Sequence, residues 1–111
     1  MINISNNTIH TFSTTGASAK VFGINSGGST TVNIFQNLVH TLTASSATPT
    51  IINGIYISGG TTVTISKNKI YNLQKTGTGG SSPSVNGISI AGGTTINVHN
   101  NMVGHLNAPS V

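Results

Sequence analysis

The sequence predicts an all-β fold, a parallel β-solenoid of about three and a half coils of 30–33 residues each. Three observations lead to this prediction. One unit recurs along the chain, apolar and polar residues alternate within the unit, and Gly and Asn recur between the alternating stretches. Self-similarity at a period of about 20 to 50 residues is typical of architectures in which each repeat packs only on its neighbours.

The repeat consists of three full copies and one half copy. The full copies align without internal gaps at residues 21–42, 52–73 and 85–106, and a half copy at residues 2–12 matches the second part of the unit. Equivalent positions are 30, 31 and 33 residues apart; they are Ile2, Val32, Val63 and Ile96. We therefore predict a single solenoid domain over residues 1–111, in which variable loops join the coils.

The pattern inside each unit is that of short strands. Val63 and Ile65 alternate with hydroxyl-bearing residues, which is the period of two expected when successive side chains point to opposite faces. A helix would need apolar residues three and four apart over several turns, and Gly-Gly and Thr-Thr pairs interrupt the unit instead. Helical repeats are therefore excluded.

Each coil is predicted to have three sides. One strand runs through Ile52 to Ile57 and its counterparts, and a second is the Val-x-Ile segment of each copy. The third strand contributes two apolar columns, which are Ile9, Val39, Ile70 and Val103, and Phe12, Leu42, Leu73 and Leu106. Stacked coils place equivalent residues about 4.8 Å apart, so each apolar column becomes a continuous ridge of the core.

Polar and glycine columns are predicted at the corners. Asparagine recurs at one corner, in left-handed conformation, as a structural ladder that bonds to the coils above and below; its members are Asn7, Asn37, Asn68 and Asn101. Two glycine columns predict further corners, and they are Gly23, Gly54 and Gly87, and Gly28, Gly59 and Gly92. Loops are predicted at Ser13–Lys20, Thr43–Ile51 and Gln74–Ser84, all on one edge of the solenoid, which is a candidate contact site.

The charge composition excludes several functions. The chain has four Lys and no Asp or Glu, a net charge of +4, whereas about a quarter of an ordinary domain is charged. Two explanations of the missing acids are open. The surface was selected for low charge, or the acids were engineered out or misread as amides, which have the same shape. The charge permits weak attraction to anionic glycans or headgroups, but four scattered Lys without Arg do not predict nucleic-acid binding.

Disulfides, membrane spans and catalytic sites are not predicted. There is no Cys, no apolar stretch of about 20 residues, and no signal-peptide pattern after Met1. Without carboxylates there is no glycosidase pair, no calcium cage and no acid to orient a catalytic His. His10 and His40 share a column with Tyr71 and Gly104, and we expect their rings to stack rather than to bind a metal, because a third ligand is missing. We predict neither a metal nor another cofactor, and no enzyme.

The repeat resembles the right-handed parallel β-helix, or pectin-lyase-like, family. The resemblance rests on the alternating apolar pairs, on Ser66-Lys67-Asn68-Lys69-Ile70 and its counterparts, and on the Gly-Ile-x-Ile segments, and it covers nearly the whole chain. The phrases Gly-Gly-Thr-Thr-Val-Thr-Ile-Ser and Asn-Asn-Met-Val-Gly-His-Leu-Asn-Ala-Pro are similar to repeat regions of large secreted bacterial surface proteins. The resemblance implies right-handed winding and an extracellular or cell-surface location. It also implies that an enzyme of the family would use carboxylates, which this chain lacks.

The expected function follows from the uncapped ends of the predicted solenoid. No polar capping unit is evident, so the chain is expected to be part of a longer solenoid or to stack head to tail into filaments. The end-stacking core is predicted to be Ile2, Ile4, Ile9, Val98, Val103 and Leu106. We expect a non-catalytic structural or adhesive segment that associates with itself.

Two other functions stay open. The first is a glycan- or ice-binding module that uses the loop edge or a Thr face, whose residues are Thr30, Thr31, Thr61, Thr62, Thr94 and Thr95. Against a Thr face, Asn33 and Asn97 replace Thr64 in the adjacent coils, and Thr also favours strands for reasons of shape alone. The second is a degenerate carbohydrate-active enzyme, which rests on fold analogy only.

Overall fold

The computed structural model describes residues 1–46, 50–77 and 84–109, and it confirms a parallel β-solenoid of about three turns. No helix occurs in these three ranges, so none of the described residues belongs to a helix that could span a membrane. The strands are β1 (Ile2–Ser5), β2 (Thr8–Thr14), β3 (Lys20–Ser26), β4 (Ser29–Phe35), β5 (Leu38–Ala44), β6 (Ile51–Ile57), β7 (Gly60–Ser66), β8 (Lys69–Lys75), β9 (Ser84–Ile90), β10 (Thr95–His99) and β11 (Met102–Asn107).

The strands form three parallel sheets, one on each side of the coil, as predicted. Sheet A has the order β1-β4-β7-β10, sheet B the order β2-β5-β8-β11, and sheet C the order β3-β6-β9. Each strand pairs with the equivalent strand of the next coil, and Ile2 lies beside Val32, Val32 beside Val63, and Val63 beside Ile96. The register of the sequence repeat is therefore the register of the sheets.

The core consists of the inward-facing residues of the two central coils. Along β7, Val63 and Ile65 are fully buried while Thr62 and Thr64 are partly exposed, because successive side chains point to opposite faces. The buried apolar residues are Val21, Ile24, Val32, Ile34, Val39, Leu42, Ala44, Ile52, Ile55, Ile57, Val63, Ile65, Ile70 and Leu73. Fully burying an aliphatic side chain of this size contributes roughly 1.5–3 kcal/mol, so these columns are the main source of stability.

One of the two glycine columns is not at a corner, and that prediction was wrong. Gly23, Gly54 and Gly87 lie inside β3, β6 and β9. A Cβ added to Gly54 would be 2.5 Å from the Cγ2 of Ile70 and 2.6 Å from the carbonyl oxygen of Gly87. Glycine is required here because sheet C approaches the core side chains of sheet B too closely for any other residue. The second column does lie between strands, where Gly28 has a left-handed φ of 76°.

The ladder asparagines lie at a corner, but the left-handed residue is the one before each of them. Positive φ values of 55–57° occur at Asn6, Gln36, Lys67 and Asn100. The Nδ2 of Asn7 donates to the carbonyl oxygen of Ser5, 3.0 Å away. We attribute the left-handed bend at Asn6 to this contact, which brings a side chain back onto the carbonyl two residues earlier.

The predicted loops are shorter than expected, because β2, β5 and β8 continue to Thr14, Ala44 and Lys75. Residues 47–49 and 78–83, which belong to the second and third predicted loops, lie outside the described residues. Lys75 is fully buried and its Nζ donates to the carbonyl oxygen of Gly77, 2.6 Å away. The exposed lysines are therefore Lys20, Lys67 and Lys69.

A second left-handed column lies inside the strands of sheet B and was not predicted. Its members are Thr11, Thr41, Asn72 and His105, with φ of 61°, 57°, 57° and 53°. A β-branched residue is an outlier in this region, because its Cβ substituents crowd the backbone, whereas Asn adopts it more readily. Thr41 and Thr11 are therefore strained positions.

We expect Thr41→Asn to raise the free energy of unfolding by about 0.5 kcal/mol, because Asn relieves this strain and its Oδ1 can accept the bond that the Nδ2 of Asn72 donates to the Thr41 hydroxyl. Urea unfolding followed by circular dichroism measures the change. Thr43→Asn on the same strand is the matched control, since Thr43 has no positive φ and should lose a little stability through lower strand propensity. Equal shifts in the two variants would contradict the strain.

Candidate functional site

The described surface offers no pocket. No concave site is found in residues 1–46, 50–77 and 84–109, and these ranges hold no cluster of three or more potential metal ligands. The groups that remain to be considered are the asparagine ladder, the two ends of the solenoid, and the polar and aromatic columns on the outer faces of the sheets.

The ladder is a continuous chain of amide hydrogen bonds. The backbone nitrogen and the Nδ2 of Asn37 both donate to the Oδ1 of Asn68, each at 3.0 Å. Asn7 donates to Asn37 in the same way, and Asn68 donates to Asn101 at 3.0 and 2.9 Å. Asn37 and Asn68 are buried, so each amide replaces the water that the corner would otherwise need.

The ladder has a direction. In every hydrogen bond between two ladder asparagines, the donor points toward the C-terminal coil and the Oδ1 accepts from the N-terminal one. Among the described residues, the Oδ1 of Asn7 therefore has no donor and the backbone N–H of Asn101 has no acceptor. The two ends of the ladder carry complementary groups.

The two end faces are apolar. All six residues predicted to form the end-stacking core lie on the first or last strand of their sheet. At the N-terminal face Ile2, Ile4 and Ile9 are half-buried, and at the C-terminal face the exposed fractions are 46% for Val98, 43% for Val103 and 40% for Leu106. Side chains of this kind are buried in the central coils, so each end lacks one layer of packing.

Phe12 and Ile96 belong to the same end faces, although the predicted set did not include them. They are 48% and 45% exposed. Phe12 pairs with Leu42 and Ile96 with Val63, both fully buried. The signal for them was present in the sequence, because each is the terminal member of an apolar column.

The outer strand of each sheet also has an edge that pairs with no other described strand. Strands β1, β2 and β3 are the outer strands at one end, and β9, β10 and β11 are the outer strands at the other. Such edges present backbone N–H and C=O groups to any further parallel strand of matching pattern. Each end therefore combines an apolar face with three strand edges.

The Thr columns lie along sheet A in register. Thr31 pairs with Thr62 and Thr62 with Thr95, while the neighbouring outward column reads Asn33, Thr64 and Asn97. Thr31 and Thr62 are half-buried; Thr30, Thr61, Thr94 and Thr95 are exposed. Consecutive residues of a strand point to opposite sides, so the six Thr do not form one plane.

The aromatic column on sheet B is stacked as the register predicts. The ring centroids of His10 and His40 are 5.1 Å apart and those of His40 and Tyr71 are 5.0 Å apart, with rings nearly parallel. The Nδ1 of His40 lies 2.9 Å from the hydroxyl of Thr41. Two nitrogens that share one ion must both lie about 2.1 Å from it with converging lone pairs. Parallel rings at this spacing are not arranged in that way.

Comparison with protein-family models, curated proteins and solved structures gives no match to this chain. What the structure shows is a parallel β-solenoid of about three turns. Right-handed winding remains what the resemblance implies.

Proposed function

We propose that the chain is a non-catalytic structural segment in which the C-terminal face of one copy packs on the N-terminal face of the next. The single observation that carries this proposal is the directional asparagine ladder. The free N–H of Asn101 is the donor that the free Oδ1 of Asn7 in a following copy would accept.

The apolar columns of sheets A and B would continue across the same junction, whereas sheet C, which has one strand fewer, would have a gap of one strand between β9 and β3 of the next copy. With β1 of the next copy beside β10, its Ile2 would lie against Ile96 and its Ile4 against Val98, as Ile2 and Ile4 lie beside Val32 and Ile34 within one copy. Each junction would bury the exposed apolar side chains of both faces, and burial contributes roughly 25 cal/mol per Å².

Few side-chain charges would act between copies, and all of them are positive. With Lys75 buried, the exposed charged side chains are Lys20, Lys67 and Lys69, and the chain has no Asp or Glu. Because the two faces differ, the contact is heterologous and does not close on itself, so repeated addition makes filaments. By the resemblance, we place the segment in an extracellular or cell-surface bacterial protein with a structural or adhesive role.

Val98→Lys is expected to abolish assembly, because it places an ammonium group in the centre of the C-terminal face. Sedimentation velocity and electron microscopy of the 111-residue chain should show filaments that grow with concentration, while Val98→Lys stays monomeric. Asn97→Lys is the matched control, since it adds the same charge to the same strand on a column that carries Thr64 and Asn33 rather than the apolar face. Circular dichroism checks that both variants are folded.

A mixture of two blocked variants tests the direction of packing. Ile4→Lys blocks the N-terminal face and Val98→Lys the C-terminal face, so each chain retains one intact face. The two should remain monomers alone and form one-to-one dimers together. A monomeric unmodified chain at high concentration, or a mixture that gives large aggregates, would contradict end-to-end packing.

A binding module is the second candidate, favoured by the register of Thr31, Thr62 and Thr95 on sheet A. It would recognise ice or glycan through this column or through the loop edge. A chain that stays monomeric yet shows thermal hysteresis, or binds on a glycan array, would support this candidate in place of assembly.

A further inference from the structure

We infer that the interrupted aromatic column on sheet B binds one small planar aromatic anion, stacked on Tyr71 at the rung of Gly104. The inference concerns a single copy of the chain and does not depend on end-to-end packing.

The column lacks one ring at its C-terminal end. His10, His40 and Tyr71 occupy successive rungs with centroid spacings of 5.1 and 5.0 Å. The next rung is Gly104, which pairs with Tyr71, and a Cβ added to Gly104 would meet no atom within 4 Å. The fourth rung of the column, next to the face of Tyr71 that His40 does not cover, therefore carries no ring of its own.

The neighbours of this open position suit an aromatic guest. Met102, 63% exposed, lies on the same strand two residues before Gly104, and a thioether packs favourably against aromatic rings. The polar residue His105 directly follows Gly104. Its equivalent two coils earlier is Thr41, whose hydroxyl lies 2.9 Å from the ring nitrogen of His40. The open rung thus has an aromatic wall, an apolar neighbour and a polar neighbour.

The positive charge of Lys69 beside the rung of Gly104 favours an anionic ligand. The Nζ of Lys69 lies over the Tyr71 ring, 5.3 Å from its centroid, so this flexible side chain would move to the edge of the ring when a guest stacks there. The chain contains no Asp or Glu, so no side-chain carboxylate competes for this ammonium group. A flat ring placed about 5 Å from Tyr71 continues the column, and a carboxylate on that ring can pair with Lys69. An uncharged ring would gain only the stacking contact.

End-to-end packing would add a second wall to the same position. In the register proposed above, His10 of the next copy would pair with Gly104, as His10 pairs with His40 within one copy. This extension rests on the proposed function. The experiment below therefore uses the chain at a concentration where sedimentation shows a single copy.

The probe is 2-naphthoate, with 2-naphthol as its neutral counterpart. In NMR titrations we expect 2-naphthoate to shift the ring signals of Tyr71 and the amide of Gly104, with a dissociation constant on the order of 1 mM. Gly104→His, which fills the open rung, should weaken binding at least about tenfold. Asn107→His is the matched control, because it adds the same side chain to the same strand, beside Gln74 rather than Tyr71, and should leave binding unchanged.

Lys69→Met separates the charge from the stacking. It should weaken 2-naphthoate about fivefold or more and leave 2-naphthol unchanged, and it keeps the test informative if Gly104→His does not fold. Undetectable binding of 2-naphthoate at 10 mM, equal binding by Gly104→His and the unmodified chain, or shifts confined to other residues would each overturn the inference. None of these results bears on end-to-end packing, since that is measured at high concentration without a probe.

Discussion

Gly54→Ala is expected to lower the free energy of unfolding by about 4 kcal/mol or to prevent folding, a large effect for a single methyl group. The added Cβ would lie 2.5 Å from the Cγ2 of Ile70 and 2.6 Å from the carbonyl oxygen of Gly87. Gly54 is in the middle of β6, with a coil on either side, and Ile70 is fully buried. Relief would require sheet C to move away from sheet B and β6 to shift relative to β9, so the inward columns would lose contacts.

Gly59→Ala is the matched control for this change. A Cβ at Gly59 would meet no atom within 4 Å, and the residue has no positive φ. The variant should be as stable as the unmodified chain or gain a few tenths of a kcal/mol, because Ala restricts the unfolded state. Urea unfolding followed by circular dichroism compares the two. Equal stability in both variants would show that the sheets do not approach as closely as described.

The sheets and their register could be predicted because the information is local and repeated. The alternation around Val63 and Ile65 identifies a strand, and the alignment of copies then places equivalent residues side by side. The stacked rings of His10 and His40 followed from the same alignment. A parallel stack needs no further long-range information.

The role of Gly54 could not be predicted in the same way. A repeated glycine is consistent with a corner or with a close approach of two chain segments. What decides between them is the distance from β6 to Ile70, which lies across the core and on a different sheet. Gly59, only five residues later, does lie at a corner, although both columns have the same composition.

The left-handed column in sheet B could not be predicted from the sequence either. Its members share neither side-chain type nor propensity, and two of them, Thr11 and Thr41, disfavour this conformation. Each strand must follow the path of its neighbour to keep the ladder bonds, so we attribute the bend at these residues to the stack rather than to the residues themselves. Sequence patterns indicate the conformations that residues prefer, and Thr11 and Thr41 adopt a conformation that they disfavour.

The residues that form the end faces could be predicted from the sequence. The sequence pattern does not indicate what packs on these faces. Ile4 and Val98 terminate one apolar column, so both had to lie at an end once the coils were aligned. The direction of the asparagine ladder could not be predicted, because the same four asparagines could also bond with donors and acceptors exchanged. The proposal of one-directional assembly therefore needed the structure.

Asn68→Ala is expected to cost about 3 kcal/mol of unfolding free energy. The Oδ1 of Asn68 accepts two bonds from Asn37, and its Nδ2 donates to Asn101 and to the carbonyl oxygen of Ile34. Truncation would leave the backbone N–H of Asn37 without its acceptor in a buried corner, while the Nδ2 of Asn37 keeps the carbonyl oxygens of Ile4 and Phe35. An unsatisfied buried group of this kind costs about 1–3 kcal/mol, and alanine is too small to replace the lost bonds.

Asn97→Ala separates this effect from the general cost of removing an asparagine. Asn97 is exposed on β10 and its side chain makes no hydrogen bond with a described residue. Its replacement should change stability by less than about 0.5 kcal/mol. A comparable loss in both variants would mean that the ladder adds little to the fold. In that case its free end groups would also be a weak basis for joining one copy to the next.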